Sequence, residues 1–412
     1  MRPRLPRLIV IVLASLGTSL TGPVARAAPP AVGTITKFPL PVPFSTPWGI
    51  APGPDGNLWF TEVGPNKLGQ ITPTGVITEF PIPTADSGLS AITAGRAGTL
   101  WFIENRSNKI GKVKSNGAIV EFAVPTPDAG LGDITKGADG NVWFTEGGAS
   151  KIGRIKPSGT ITEFPTPTPH SGPFGITAGP GGNVWFTEGA SIGEITPSGV
   201  ITEFPAPAGG GSITAGADGN LWFLEGPQTV GRMTPSGTVT EFRIPTPSSL
   251  SRDITAGADG NLWFTEYKAA TIGQITTAGV ITEFVIPGNR QSTPQSIAPG
   301  PDGNLWFTEY EGNAIARITD APTPAVSLSP NSGPPGSQIQ VSGSRFGSFE
   351  NVSLTFLDSV SGRTRLGGAQ TDAFGAFSAT VTVPSDATVG SQMVMVQGLI
   401  SALVVNAPFT VT

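Results

Sequence analysis

A tryptophan-centred stretch, read most plainly as Asn57-Leu58-Trp59-Phe60-Thr61-Glu62, returns through the chain at nearly fixed intervals, and nothing else constrains the fold as much. The tryptophans at 59, 101, 143, 185, 222, 263 and 306 are separated by 42, 42, 42, 37, 41 and 43 residues. A period of this size marks a repeat architecture, in which each unit buries its apolar faces only against its neighbours. The chain carries 56 Gly and 41 Pro, and these recur at fixed places in the period, so they read as turns rather than as low-complexity sequence. Few windows run a dozen residues without one of them, which argues against helix.

One period, from Ser90 to Pro125, holds four short β-rich runs. They are Ala91 to Ala94, Leu100 to Glu104, Lys109 to Val113 and Ala118 to Phe122, and each unit is expected to form a four-stranded antiparallel sheet. Asp-Gly at 55, 139, 218, 259 and 302 suits the tight turn between the first two strands, because Gly takes the positive φ required there. Pro-Ser-Gly at 157, 197 and 235 turns the third strand into the fourth, and Pro-rich crossings such as Pro165 to Pro169 link one unit to the next. Seven such units are best closed as a seven-bladed β-propeller, since an open stack leaves an apolar face at each end. The seventh unit stops at Ala316 to Thr319 without a fourth strand, whereas Thr34 to Phe38 is an orphan strand ahead of the first unit. That strand is expected to complete the seventh blade and join the ends of the ring.

The domain reading is then a signal peptide over 1–27, the propeller over 31–320, a linker over 321–325 and a small immunoglobulin-like β-sandwich over 326–412. The leader has Arg2, Arg4 and Arg7, an apolar run from Leu8 to Leu20 and Ala25-Arg26-Ala27 as cleavage site, so the chain is expected to be secreted, extracellular or held in the cell envelope. No span is expected in the mature chain. A net charge of −5 with 13% charged residues gives no basic stripe, which argues against nucleic acid as a partner. There is no cysteine, so stability has to come from packing and ring closure, and a monomer is expected.

The combination Gly-x-Asp-Gly-Asn-Leu-Trp-Phe-Thr-Glu, Ile-Gly-Arg/Gln-Ile-Thr and Gly-Val-Ile-Thr-Glu-Phe, repeated seven times over roughly 31–319, resembles the streptogramin B lyase (virginiamycin B lyase) family. The run from Ser329 to Gly336, with Gly343 to Gly347 after it, resembles the opening of IPT/TIG-type immunoglobulin-like domains. The first resemblance implies a seven-bladed propeller and, in active members, magnesium-dependent opening of a cyclic depsipeptide by elimination. It also implies histidines at the start of the first strand in the last two blades. The seven equivalent positions here are Trp48, Ser90, Gly132, Phe174, Gly211, Arg252 and Gln295. None is histidine. Arg252 and Gln295 stand where the two histidines would, Thr293 where a carboxylate is expected, and only Glu309 matches the family's glutamate.

A base working near neutral pH is most often histidine. The single histidine, His170, lies in a crossing loop out of register with the family position and reads as a solvated bystander. The seven glutamates that end the second strands, Glu62, Glu104, Glu146, Glu188, Glu225, Glu266 and Glu309, are expected to encircle the mouth of the channel, where Glu309 and Glu266 are the candidates for holding Mg2+. The favoured reading is nonetheless structural, each glutamate capping its own strand or bonding neighbouring backbone, with the shared cation site as the alternative. Residues that break the repeat are better pointers to a site than those that keep it. Trp48, Asp133, Phe174, Arg252, Asp253 and Gln295 do so near one rim, a mixture that suits a small polar ligand, a peptide or a cell-wall fragment.

Three functions follow. The favoured one is a secreted, lyase-like propeller without the catalytic histidines that serves as a ligand- or partner-binding scaffold and not as an enzyme. The alternatives are a magnesium-dependent lyase opening a cyclic depsipeptide or lactone, and a structural or adhesive cell-surface protein.

Overall fold

The computed structural model describes residues 32–206, 210–288, 292–320, 325–344, 346, 351–371, 376–399 and 404–412. The leader expected over 1–27 and most of the linker expected over 321–325 lie outside the described residues. The described chain is all-β, with two short 3-10 turns and no helix long and apolar enough to cross a membrane.

Seven four-stranded antiparallel sheets follow one another. The first takes Pro47–Pro52, Leu58–Glu62, Lys67–Ile71 and Ile77–Pro81 in that order. Alternation along the second strand sends Leu58 and Phe60 to one face and Trp59 to the other, and both faces are covered. Trp59 packs with Leu100 and Phe102 of the second sheet, while Leu58 and Phe60 pack with Trp306 of the seventh. The same pairing joins every sheet to the next, so seven apolar clusters run round a propeller arrangement. Each tryptophan also stacks on the phenylalanine of its own fourth strand, with ring centres 5.0 to 5.9 Å apart. Burying one such ring contributes on the order of 4–6 kcal/mol as an upper bound.

The outermost strand of the seventh sheet is Ile35–Pro39, paired antiparallel with Ala314–Ile318 from Ile35↔Ile318 to Pro39↔Ala314. Phe38 supplies the ring that stacks on Trp306, at 5.2 Å. Asn313 adds a second tie, its side chain donating to Val42 O and accepting from Ser45 N across some 270 residues of chain.

The Asp-Gly turns do more than reverse the chain. The carboxylates of Asp55, Asp139, Asp218, Asp259 and Asp302 each accept the indole N–H of the tryptophan four residues on, at 2.9 to 3.3 Å. A buried indole N–H left without a partner costs about 1–3 kcal/mol, so the motif's Asp and Trp form one unit.

Beyond the propeller, a three-stranded sheet (Ala325–Ser329, Gln338–Ser344, Phe377–Thr382) and a five-stranded sheet (Ser332–Gly333, Val404–Val411, Gly390–Gly398, Asn351–Asp358, Gly362–Gln370) share one core. Ile339 and Val341 of the first meet Leu354, Phe356, Val394, Val396 and Phe409 of the second.

Candidate functional site

The first strands carry an irregularity that the sequence does not announce. In the first, second, third, sixth and seventh sheets their register against the second strand slips, between Pro47 and Ile50 in the first and at the matching places in the others. Two residues bulge out at each slip, Trp48-Gly49, Ser90-Ala91, Gly132-Asp133, Arg252-Asp253 and Gln295-Ser296. A bulge frees an amide and re-aims a side chain. The freed amide is caught by the motif threonine of the second strand. Thr61, Thr145, Thr265 and Thr308 accept from Gly49, Asp133, Asp253 and Ser296 N, and Thr187 accepts from Gly175 N, all at 2.9 to 3.0 Å. Each of these hydroxyls then donates to a carbonyl of the next sheet, Ser90, Phe174, Gly211, Gln295 and, across the junction of last and first, Trp48. Trp-Phe-Thr-Glu is therefore as much a bulge clamp as an apolar strand.

The bulges open onto a cavity of about 800 Å³, lined from six of the sheets and, for the fourth, by Phe174 just ahead of its first strand. Trp48, Asp133, Phe174, Arg252, Asp253 and Gln295 all line it. So do residues that the repeat pattern does not single out, among them Ser212, Leu250 and Ser296. Leu224 lines it too, and departs from the repeat by standing at the clamp threonine's position in the fifth unit, as Ile103 does in the second without reaching the cavity.

Asp253 is fixed from both sides. Its Oδ1 accepts from the Ser212 hydroxyl at 2.6 Å and from Ile254 N, and its Oδ2 from the Ser296 hydroxyl at 2.7 Å and from Ile297 N. Asp133 accepts from Ile134 N and Ile176 N, so each aspartate bridges its own strand to the next. Burial, and then the facing charge of Asp253, push the Asp133 carboxyl up to about 7. Burial also raises Asp253, against the hydroxyls that hold it. Arg252 is exposed and lies over the Tyr267 ring at 5.0 Å. Trp48 meets Tyr310 edge-on at 5.7 Å.

The seven strand-end glutamates do not encircle this mouth, which corrects the sequence expectation. All are buried and none lines the cavity. Burial raises Glu62, Glu104, Glu188, Glu225 and Glu266 to about 7 and Glu146 to about 8, assisted in each case by the glutamate of the fourth strand. Glu309 is the exception. At the fourth-strand position where the other units have glutamate, the closing strand places Lys37, whose Nζ reaches Glu309 Oε2 and Ser292 Oγ at 2.8 Å each. Burial still raises the Glu309 carboxyl, with Lys37 pulling it down.

These donors do not suit magnesium. Glu309 is ion-paired to Lys37, and Thr293 spends its hydroxyl on Glu311 N and stands outside the cavity. Glu266 stands beside Glu283 rather than in the cavity. Among the described residues no group of three or more His, Asp or Glu could hold a metal ion. His170 is exposed in its crossing and takes no part in the cavity wall.

Comparison with known proteins places this geometry. The virginiamycin B lyase family model matches residues 24–211 and 121–329. A streptogramin B lyase structure is 38% identical, covering 69% of this chain and 97% of its own, with a TM-score of 0.66. A catalytically inactive histidine-to-alanine variant of virginiamycin B lyase from Staphylococcus aureus, solved with quinupristin, is 38% identical over 69% of this chain and 99% of its own, again at 0.66. The extracellular domain of a hybrid two-component system from B. thetaiotaomicron shares the fold alone, at 10% identity over 92% of this chain and 57% of its own, with a TM-score of 0.56. A search of curated proteins finds no match. The chain belongs to the virginiamycin B lyase family.

Proposed function

We propose that this member of the virginiamycin B lyase family is a secreted binding propeller, with the family's scaffold and without its catalysis. The observation that carries the reading is the cavity wall. Its distinctive residues are two aromatics, an arginine, an amide and two hydrogen-bonded aspartates, with no histidine among them. The S. aureus relative is inactive once a single histidine is lost, and the one histidine here stands off the cavity. In this reading the seven sheets are the blades of one closed ring over 31–320. The two sheets over 326–412 form an immunoglobulin-like module that spaces or docks the propeller at the cell envelope. The ligand is a small polar molecule, a peptide or a cell-wall fragment.

Calorimetric titration of the mature chain with a panel of short peptides, peptidoglycan fragments and a B-type streptogramin tests this. Saturable binding that Trp48→Ala and Phe174→Ala together abolish supports the cavity as the site. Binding unaffected by that pair, or none across the panel, sinks it.

One observation favours a second reading. Asp133 is a cavity carboxyl raised to about 7, the range in which a general base works. A lyase that used it would lose turnover in Asp133→Asn.

A further inference from the structure

We infer that the ligand of this cavity carries a carboxylate and a flat apolar flank, the carboxylate held by Arg252 and the flank lying on Trp48 or Phe174. The inference rests on the binding reading above and narrows its ligand.

Among the described residues Arg252 is the only cation on the cavity wall. No carboxylate forms an ion pair with it among the described residues. Its guanidinium lies over the Tyr267 ring, 5.0 Å from the ring centre, on a side chain that is otherwise exposed. A guanidinium so supported is pre-organised for a two-point bond to a carboxylate. Its charge is not cancelled from within the cavity. Asp253 has both oxygens committed, each to a hydroxyl and a backbone amide, and Asp133 holds two strand amides. Burial raises both carboxyls, Asp133 to about 7 with the charge of Asp253 adding to it. Because the whole chain carries −5, attraction for an anion here has to be local.

The apolar half of the ligand follows from exposure. Trp48 is 36% and Phe174 49% exposed although both line a concave wall, and Tyr310 holds Trp48 in place edge-on. Exposed rings in a concavity are contact surface awaiting an occupant. Aromatic acids and acidic sugars both present a carboxylate beside a face that packs on such rings.

Ligand-observed NMR titration of the full chain with two matched pairs separates these sources, indole-3-acetate against indole-3-acetamide and glucuronate against glucose. The carboxylate of at least one pair should bind about 10- to 100-fold more tightly than its neutral partner. Arg252→Gln should erase that preference at an unchanged melting temperature, and Arg252→Lys should keep part of it, since the charge remains and the fork is lost. A response confined to the indole pair assigns an aromatic acid, and one confined to the sugar pair an acidic glycan. Equal binding of charged and neutral partners overturns the inference and leaves the binding reading standing, as does a preference that survives in Arg252→Gln. No saturable binding by any of the four also overturns it, with the cavity reading then judged by its own panel.

Discussion

Replacing Glu146 by Gln removes a carboxyl that is fully buried and has no hydrogen-bond partner on either oxygen among the described residues. Burial and the nearby Glu163 raise it from 4.5 to about 8, with Lys151 opposing. Glu163 is itself held low by the Lys151 and Thr126 groups that bond it, so in this pair the inner residue takes the proton and the outer one keeps the charge. A folded-state value above the unfolded one means that the folded chain binds the proton more readily. The group's contribution is therefore fully present below pH 4.5 and is lost as pH rises through about 8. At 1.36 kcal/mol per unit the loss has a ceiling of about 5 kcal/mol, and relaxation around a buried charge brings the expected value to about 2 kcal/mol. Glutamine has the same shape and no charge to bury. The Glu146→Gln chain should thus melt close to the parent at pH 5 and about 4 °C above it at pH 9. Scanning calorimetry at the two pH values reads the difference directly. A variant that gains nothing on going from pH 5 to pH 9, or that loses stability at pH 9, refutes the claim that Glu146 sits protonated in the fold.

Two further outcomes follow from ring closure and from the bulge clamp. Lys37→Ala strands the buried Glu309 carboxylate and should cost about 3 kcal/mol by thermal melting, most of which Lys37→Ala combined with Glu309→Gln should restore; a double variant no better than the single would refute the pairing. Thr308→Val leaves Ser296 N and Trp48 O without the hydroxyl that joins the seventh sheet to the first, and should cost about 2 kcal/mol in urea unfolding, against no change if the clamp is incidental.

Much of this architecture is legible in the sequence because repetition amplifies a weak signal. One Leu-Trp-Phe-Thr-Glu is an ambiguous strand, but seven variants of it at spacings of 37 to 43 residues define both the unit and the faces that Trp59 and Phe60 cover. Counting strands located the partner of the incomplete last unit, since a missing fourth strand and an orphan one are the same observation made at two ends. The cavity residues stood out for the opposite reason, as departures from the repeat.

The remainder depended on directions that a linear pattern does not carry. Position alone puts the strand-end glutamates at the rim, whereas their side chains are buried beside the fourth-strand glutamates. The bulge is a backbone slip and has no residue type of its own, so the purpose of Thr61 and its equivalents was hidden. Asp55 reads as a turn residue, and its bond to the Trp59 indole is visible only once the hairpin has brought the two together.

The most direct test of the account is to incubate the chain from Ala28 with a B-type streptogramin and magnesium and to follow the lactone by chromatography. A cavity that binds and does not catalyse leaves the cyclic compound unchanged. Ring opening that Asp133→Asn or Glu309→Gln abolishes would contradict it, showing that a carboxylate has taken the place of the missing histidines.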